Sequence, residues 1–294
     1  MSSLSLDSVR AIAKKDFQDA ARSKVLWLLT LLFVAFLGGM AFLFVWLDDL
    51  FARQPAAQQG AEIAAIDLIF FLQTPVALLI PLIGLLVGYK ALAGEVDSGS
   101  AKILFSLPHS RLDAIVGKFI GRTLVLWTSF FAGLLVAVVV VVALYDEFNI
   151  GHILVFTLLS LLFGAVYVGL GVAISALTKS TTKAAAAVVG VFFFFSFVFD
   201  RFRDVVYYLL EGQVIPAFGT RPPNWYLFYP RLSPGGSYGA ALAGLLPEVN
   251  PLQNLFPQGE IPFYFSKWVA VVILILWIVV PLGLSYLRFE QLDL

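Results

Sequence analysis

The charged side chains of this chain stay out of six long runs: Val25 to Leu47, Leu68 to Tyr89, Thr123 to Tyr145, Ile153 to Leu177, Ala184 to Phe199 and Trp268 to Leu287. An ionisable group at membrane depth is the usual mark of a proton or ion path. A proton- or sodium-coupled carrier would therefore lack its carboxylate here, because Asp67 stands only at the edge of the second run. Hydrolytic chemistry has no better footing. The sequence contains neither His-Glu-x-x-His nor Gly-x-Ser-x-Gly, and no Gly-x-x-x-x-Gly-Lys-Ser/Thr loop that could cradle a nucleotide. His109 and His152 fall in loops expected on opposite sides of a membrane, too far apart for one dyad, and each reads as a polar loop residue. With no cysteine, disulfides, thiolate metal sites and cysteine nucleophiles are excluded. No metal or cofactor is expected on this chain, and any ATP that drives it must be held by another.

The densest patterned charge lies between the second and third runs, from Lys90 to Arg122. Ser100 is placed to cap a short helix in which Ile103, Leu104 and Leu107 share a face, and Pro108 ends it. Ser110 followed by Asp113 has the spacing of a capping box, so a new helix is expected to start there and run through Gly117 and Lys118 into the third run. The product is a short helix held crosswise between two longer ones, suited to receiving a push from a soluble partner. Glu95, Arg111 and Lys118 can equally be read as interfacial charge that sets helix depth.

The elements that must position this block are the runs themselves. A helix rises about 1.5 Å per residue, so about 20 apolar residues cross a hydrocarbon core of about 30 Å. Five runs reach that length, and the fifth in order, Ala184 to Phe199, can continue past Asp200 into Val205 to Leu210. Backbone groups in lipid must bond within their own segment, so these are helices; barrel strands would alternate polar and apolar residues over about ten positions. The composition, 60% hydrophobic and 13% charged, agrees. The expected fold is all-α: a six-helix transmembrane bundle, one domain over residues 1–294, with spans near 25–47, 68–89, 123–145, 153–177, 184–199 and 268–287. A net charge of +0 and the lack of a basic tract argue against a nucleic-acid partner.

Six spans place both termini on one side. Of the 19 lysines and arginines, 13 then fall on the side of the termini and 6 on the other, which by the positive-inside rule makes the terminal side cytosolic in a cell membrane. Leu6, Val9, Ala13, Phe17 and Ala20 recur at helical spacing, so residues 1–24 should form an amphipathic helix lying along the inner membrane surface. The first run is too long for a signal peptide and is kept as a mature helix. Residues 200–266 combine proline, glycine and many aromatics, which suits packing at headgroup level, with short helices near 205–210 and 239–246, either as a lid over the helix ends or as an outer gate. Gly84 with Gly88, and Ala165, Gly169 and Ala173, have the small-x-x-x-small spacing of close helix crossings, within the chain or with a second copy. Pro75 and Pro81 should kink the second span.

The basic lead-in from Val9 to Lys24 and the block Glu95-Val96-Asp97-Ser98-Gly99-Ser100, Leu107-Pro108-His109-Ser110-Arg111 and Gly117-Lys118 together resemble the permease subunits of ABC-2 type ABC transporters. The resemblance extends over nearly the full length and is nearest the branch of nitrous-oxide-reductase maturation and gliding-type permeases. It implies a permease paired with a second permease, a copy or a paralogue, embedded in membrane lipid and bound to two cytosolic ATPase subunits that carry the ATP. Residues 100–110 would be the coupling helix, with Glu95, Gly99, Leu104, Pro108, Ser110, Arg111, Gly117 and Lys118 as the ATPase-coupling set. Lys179 to Lys183 would be a smaller second contact. The competing expectation is a membrane scaffold or maturation factor that acts through its outer loop.

Overall fold

The computed structural model describes residues 4–52, 65–99, 110–144, 149–216, 221–246 and 261–291, and among them the chain is helical throughout, without strands. Helix α1 is Leu6–Arg22, and the first span joins α2 (Lys24–Phe33) to α3 (Gly39–Ala52) through a π-helical turn, Val34–Gly38. Then follow α4 (Ala65–Gly88), the short α5 (Ala93–Asp97), α6 (Arg111–Leu144) and α7 (Ile150–Ala176). The fifth span comprises α8 (Thr181–Phe193), a second π-helical turn (Phe194–Val198) and α9 (Phe199–Glu211). Beyond it lie α10 (Asn224–Phe228), α11 (Pro234–Leu245) and the last span, α12 (Lys267–Glu290). Six helical segments are long and apolar enough to cross a membrane.

Serines supply the punctuation between helices. Ser23 leaves the helical region, donates through Oγ to the Ala20 carbonyl (2.7 Å) and accepts from the Val25 amide (3.3 Å). One side chain thus closes α1 and opens α2, which satisfies backbone groups stranded at both ends. Of the two expectations for residues 205–210, continuation of the fifth span and a short outer helix, the structure has the first: they belong to α9. Nothing interrupts the helical register at Asp200, because the charged residues Arg201, Arg203 and Asp204 pair with one another along the helix.

α7 is the axis of the bundle, touching α4, α6, α11 and α12. Its crossing with α4 is made by the glycines noted in the sequence. A Cβ on Gly84 would lie 2.8 Å from Cβ of Tyr167, and one on Gly88 would lie 2.7 Å from the Val168 carbonyl oxygen. The pair therefore serves packing within the chain, while Gly169 faces Ile278 and Leu282 of α12.

The segment between the fifth and sixth spans goes deeper than a lid. Tyr238 of α11 is fully buried, stacks on Phe163 with ring centres 4.5 Å apart, and shares a 2.9 Å hydrogen bond with Ser160. Ser160 stands ten residues into α7, so α11 reaches about 15 Å along that helix. Its sequence of glycine, alanine and serine lets it wedge between α7 and α12. Outside it, Arg231 donates to the Phe265 carbonyl (2.7 Å) and Tyr226 donates to Asp204 (3.0 Å). Burial lowers the pKa of Arg231; burial and the bond to Asp204 raise that of Tyr226. Tyr238→Phe removes the hydroxyl and strands Ser160 in the core, and it is expected to cost about 1–2 kcal/mol. The check is thermal unfolding in detergent, with Tyr208→Phe, an exposed site, as the control.

Candidate functional site

The residues singled out between the second and third spans assemble at the end of the bundle that carries α1. After α4 the chain makes a tight turn whose Leu92 and Ala93 amides both donate to Ser175 Oγ of α7, at 3.0 and 2.9 Å. This launches α5 and sets Glu95 opposite α6. α6 has 34 residues and is about 51 Å long, well beyond a bilayer core, so its first turns stand clear of the apolar layer and carry the charges.

Lys118 Nζ lies 2.6 Å from Glu95 Oε1 and 3.4 Å from Asp16 Oδ1, and Asp16 Oδ2 lies 2.8 Å from Arg122 Nε. The four formal charges cancel. Lys118 and Asp16 retain only 5% and 7% side-chain exposure, Glu95 24%. Buried ions persist only when so paired, because each alone would lose its hydration without return. The network ties α1, α5 and α6 together.

Glycine makes the contact close. A Cβ on Gly117 would fall 2.8 Å from the Ile12 Cβ, and one on Gly121 would fall 2.9 Å from the Ala13 carbonyl oxygen. Helix α1 thus docks on α6 through Val9, Ile12, Ala13, Asp16 and Ala20, whereas Leu6, expected on the apolar face, is exposed. Asp16 had no reading from the sequence. Its signal was present, since an acid one turn after Ile12 and Ala13 falls within the buried stripe.

The expected capping box is formed: Asp113 Oδ2 accepts from the Ser110 amide (2.9 Å) and Ser110 Oγ accepts from the Asp113 amide (3.0 Å). The other Asp113 oxygen accepts from the Ser5 amide (2.9 Å), so the cap of α6 also holds the start of α1. Arg111 donates to the Phe289 carbonyl at the end of α12, with its guanidinium 5.6 Å from the Phe289 ring centre. A cation at a helix C-terminus complements the stranded carbonyls there. On the α5 side, Thr181 donates to Asp97 (2.6 Å) and fastens the start of α8, while Lys179 and Lys183 are exposed beside it. Gly99 has φ +75°, the left-handed region that favours glycine. Leu104, Pro108 and the rest of the helix expected over 100–109 lie outside the described residues.

Each of the six spans is therefore tied, directly or through α1, to residues flanking 100–109. α4 and α6 carry those residues, Ser175 brings in α7, Thr181 the fifth span and Phe289 the sixth. The first span enters through Ser23 and α1. Among the described residues no group of acids and histidines could hold a metal ion.

The sequence is similar to those of known proteins. The chain is 29% identical over 259 residues to the probable ABC transporter permease protein NosY of Pseudomonas aeruginosa, covering 83% of this chain and 88% of that protein. It is 29% identical over 216 residues to the protein of the same name from Stutzerimonas stutzeri, covering 72% of this chain and 75% of that one. A third similarity, 22% over 202 residues, is to ABC transporter G family member 20 of Dictyostelium discoideum, of which the match spans 23%. Residues 10–294 match the ABC-2 family transporter protein family, and the chain belongs to that family.

Proposed function

We propose that residues 100–109, held between Gly99 and Ser110, form the element through which a separate ATPase subunit drives this permease. The chain is the membrane permease subunit of an ABC transporter, and the family implies an ATP-binding subunit beside it. The observation that carries the proposal is the convergence of all six spans on the two ends of one short segment. A displacement there acts on Glu95–Lys118, Ser110–Asp113 and Arg111–Phe289 together, so the span ends move in concert, as ATP-driven alternating access requires. In this reading the platform faces the cytosol, consistent with the 13 to 6 division of basic residues, and ATP is bound by the partner alone. Pairing with a second permease, a copy or a paralogue, is part of the same proposal and rests on the resemblance to the family's permeases.

The test is purification of the tagged chain from its native host in mild detergent, with identification of its partners and assay of ATP hydrolysis. A stoichiometric ATPase is expected. Arg111→Glu, which reverses the charge facing the end of α12, is expected to reduce ATPase recovery or transport-coupled hydrolysis at least tenfold while the bundle stays folded. Normal assembly and turnover in both Arg111→Glu and Glu95→Ala would remove the platform from the coupling path.

A further inference from the structure

Two of the spans contain a π-helical turn, and the surroundings of the two turns differ. In the first span the turn Val34–Gly38 is clamped on α6: Leu37 and Gly38 are buried, and a Cβ on Gly38 would fall 2.8 Å from Cγ1 of Val136. That turn serves packing. In the fifth span the turn Phe194–Val198 has no buried residue, and Phe194, Phe197 and Val198 stand among the exposed apolar side chains. Its ring contact with another span is Phe195 set edge-on to Trp277, with centres 5.2 Å apart. Just before it, a Cβ on Gly190 would meet nothing within 4 Å.

On either side of this turn the span is anchored, and to different parts of the molecule. Below it, Thr181 donates to Asp97 of α5 at 2.6 Å, and α8 buries Ala184 and Val188 where it packs on α4 and α7. Above it, Phe199 stacks on Tyr229 with ring centres 4.6 Å apart. Farther along α9, Asp204 accepts from Tyr226 of α10 at 3.0 Å, and Tyr207 is buried with its ring 4.9 Å from that of Tyr226. The lower half thus belongs with the charged platform and the upper half with the segment between the fifth and sixth spans.

A π-turn closes its hydrogen bonds over five residues instead of four, so it holds one residue more than an α-turn and is a recurrent place for a helix to kink. A helix fixed at both ends bends first where its own ladder is irregular and no neighbour supports it. Hinges are such short stretches between two anchored bodies. We infer that Phe194–Val198 is the hinge of the fifth span: α8 follows the platform while α9 stays with α10 and the outer segment. The inference rests on the coupling reading for the force that moves α8, and adds where along the span that displacement is absorbed.

The experiment is amide hydrogen exchange on the full complex with its ATPase, free of nucleotide and after trapping with ATP and vanadate. Exchange over 194–199 is expected to differ about threefold or more between the two states, with 90–99 changing as well and 205–210 unchanged. A change at 90–99 with none at 194–199 would overturn the hinge and leave the coupling reading standing; no change at either would overturn both. Deletion of Ser196, which is exposed, takes the extra residue out of the turn and leaves a regular α-helix whose two halves keep nearly their present faces. In that variant the ATP-dependent change should leave 194–199 and appear at 205–210, because a stiff span carries the displacement to its outer end. Phe197→Ala, an exposed site in the same turn, is the control and should match wild type. An assembled deletion variant with the wild-type exchange pattern would also overturn the assignment.

Discussion

Lys118→Met is expected to destabilise the folded permease by about 3–5 kcal/mol, the cost of removing one member of a buried ion pair. Lys118 lies 2.6 Å from Glu95 and also approaches Asp16 at 3.4 Å. Methionine keeps the volume and the flexible stem but removes the cation shared by Glu95 and Asp16, while Arg122 stays on Asp16. The consequence should be local first: α1 loses its hold on α6, and trypsin gains access to Arg10 and Lys14. Unfolding by titrated denaturing detergent measures the size of the effect. Glu95→Gln added to Lys118→Met removes the carboxylate that Lys118 met while leaving Asp16 with Arg122, and should restore most of the loss. If Lys118→Met stays within about 0.5 kcal/mol of wild type, as exposed substitutions do, the network does not hold α1.

Gly88→Leu should abolish accumulation of folded protein. A Cβ at Gly88 would meet the Val168 carbonyl oxygen at 2.7 Å, the Val172 amide nitrogen at 2.8 Å and the Gly171 carbonyl carbon at 2.9 Å. All three are backbone atoms of the axial helix, which cannot turn aside as a side chain could. Overpacking costs about 1–3 kcal/mol where neighbours yield, and more where they do not. Separation of α4 from α7 would also withdraw the turn that presents Leu92 and Ala93 to Ser175. Fluorescence-detected size-exclusion chromatography distinguishes a folded peak from aggregate. Gly283→Leu, where a Cβ meets nothing within 4 Å, is the control and should leave the peak unchanged. A normal peak for Gly88→Leu would mean that the crossing of α4 and α7 is looser than these distances.

Much of this architecture was legible in the order of residues, because lipid imposes one-dimensional rules. Twenty apolar residues in a row have no stable state in a membrane but a helix, so the six spans, the capping box at Ser110 and Asp113, and the helix running from Arg111 into the third span could be written down from spacing alone.

The partners of those residues were a different matter. That Lys118 meets Glu95 and Asp16, that Arg111 reaches the end of α12, and that Gly117 and Gly121 receive α1 all join positions about 20 to 180 residues apart. The depth of α11 was hidden as well, since glycine, alanine and serine are as common in surface turns as in tight helix crossings. Such pairings depend on which helix faces lie together, which local hydrophobicity does not encode. Sequence determined which segments cross the membrane and where charge gathers; only the packed structure decided that the charges cancel one another, and that the six spans are tied, directly or through α1, to residues flanking one short stretch of chain.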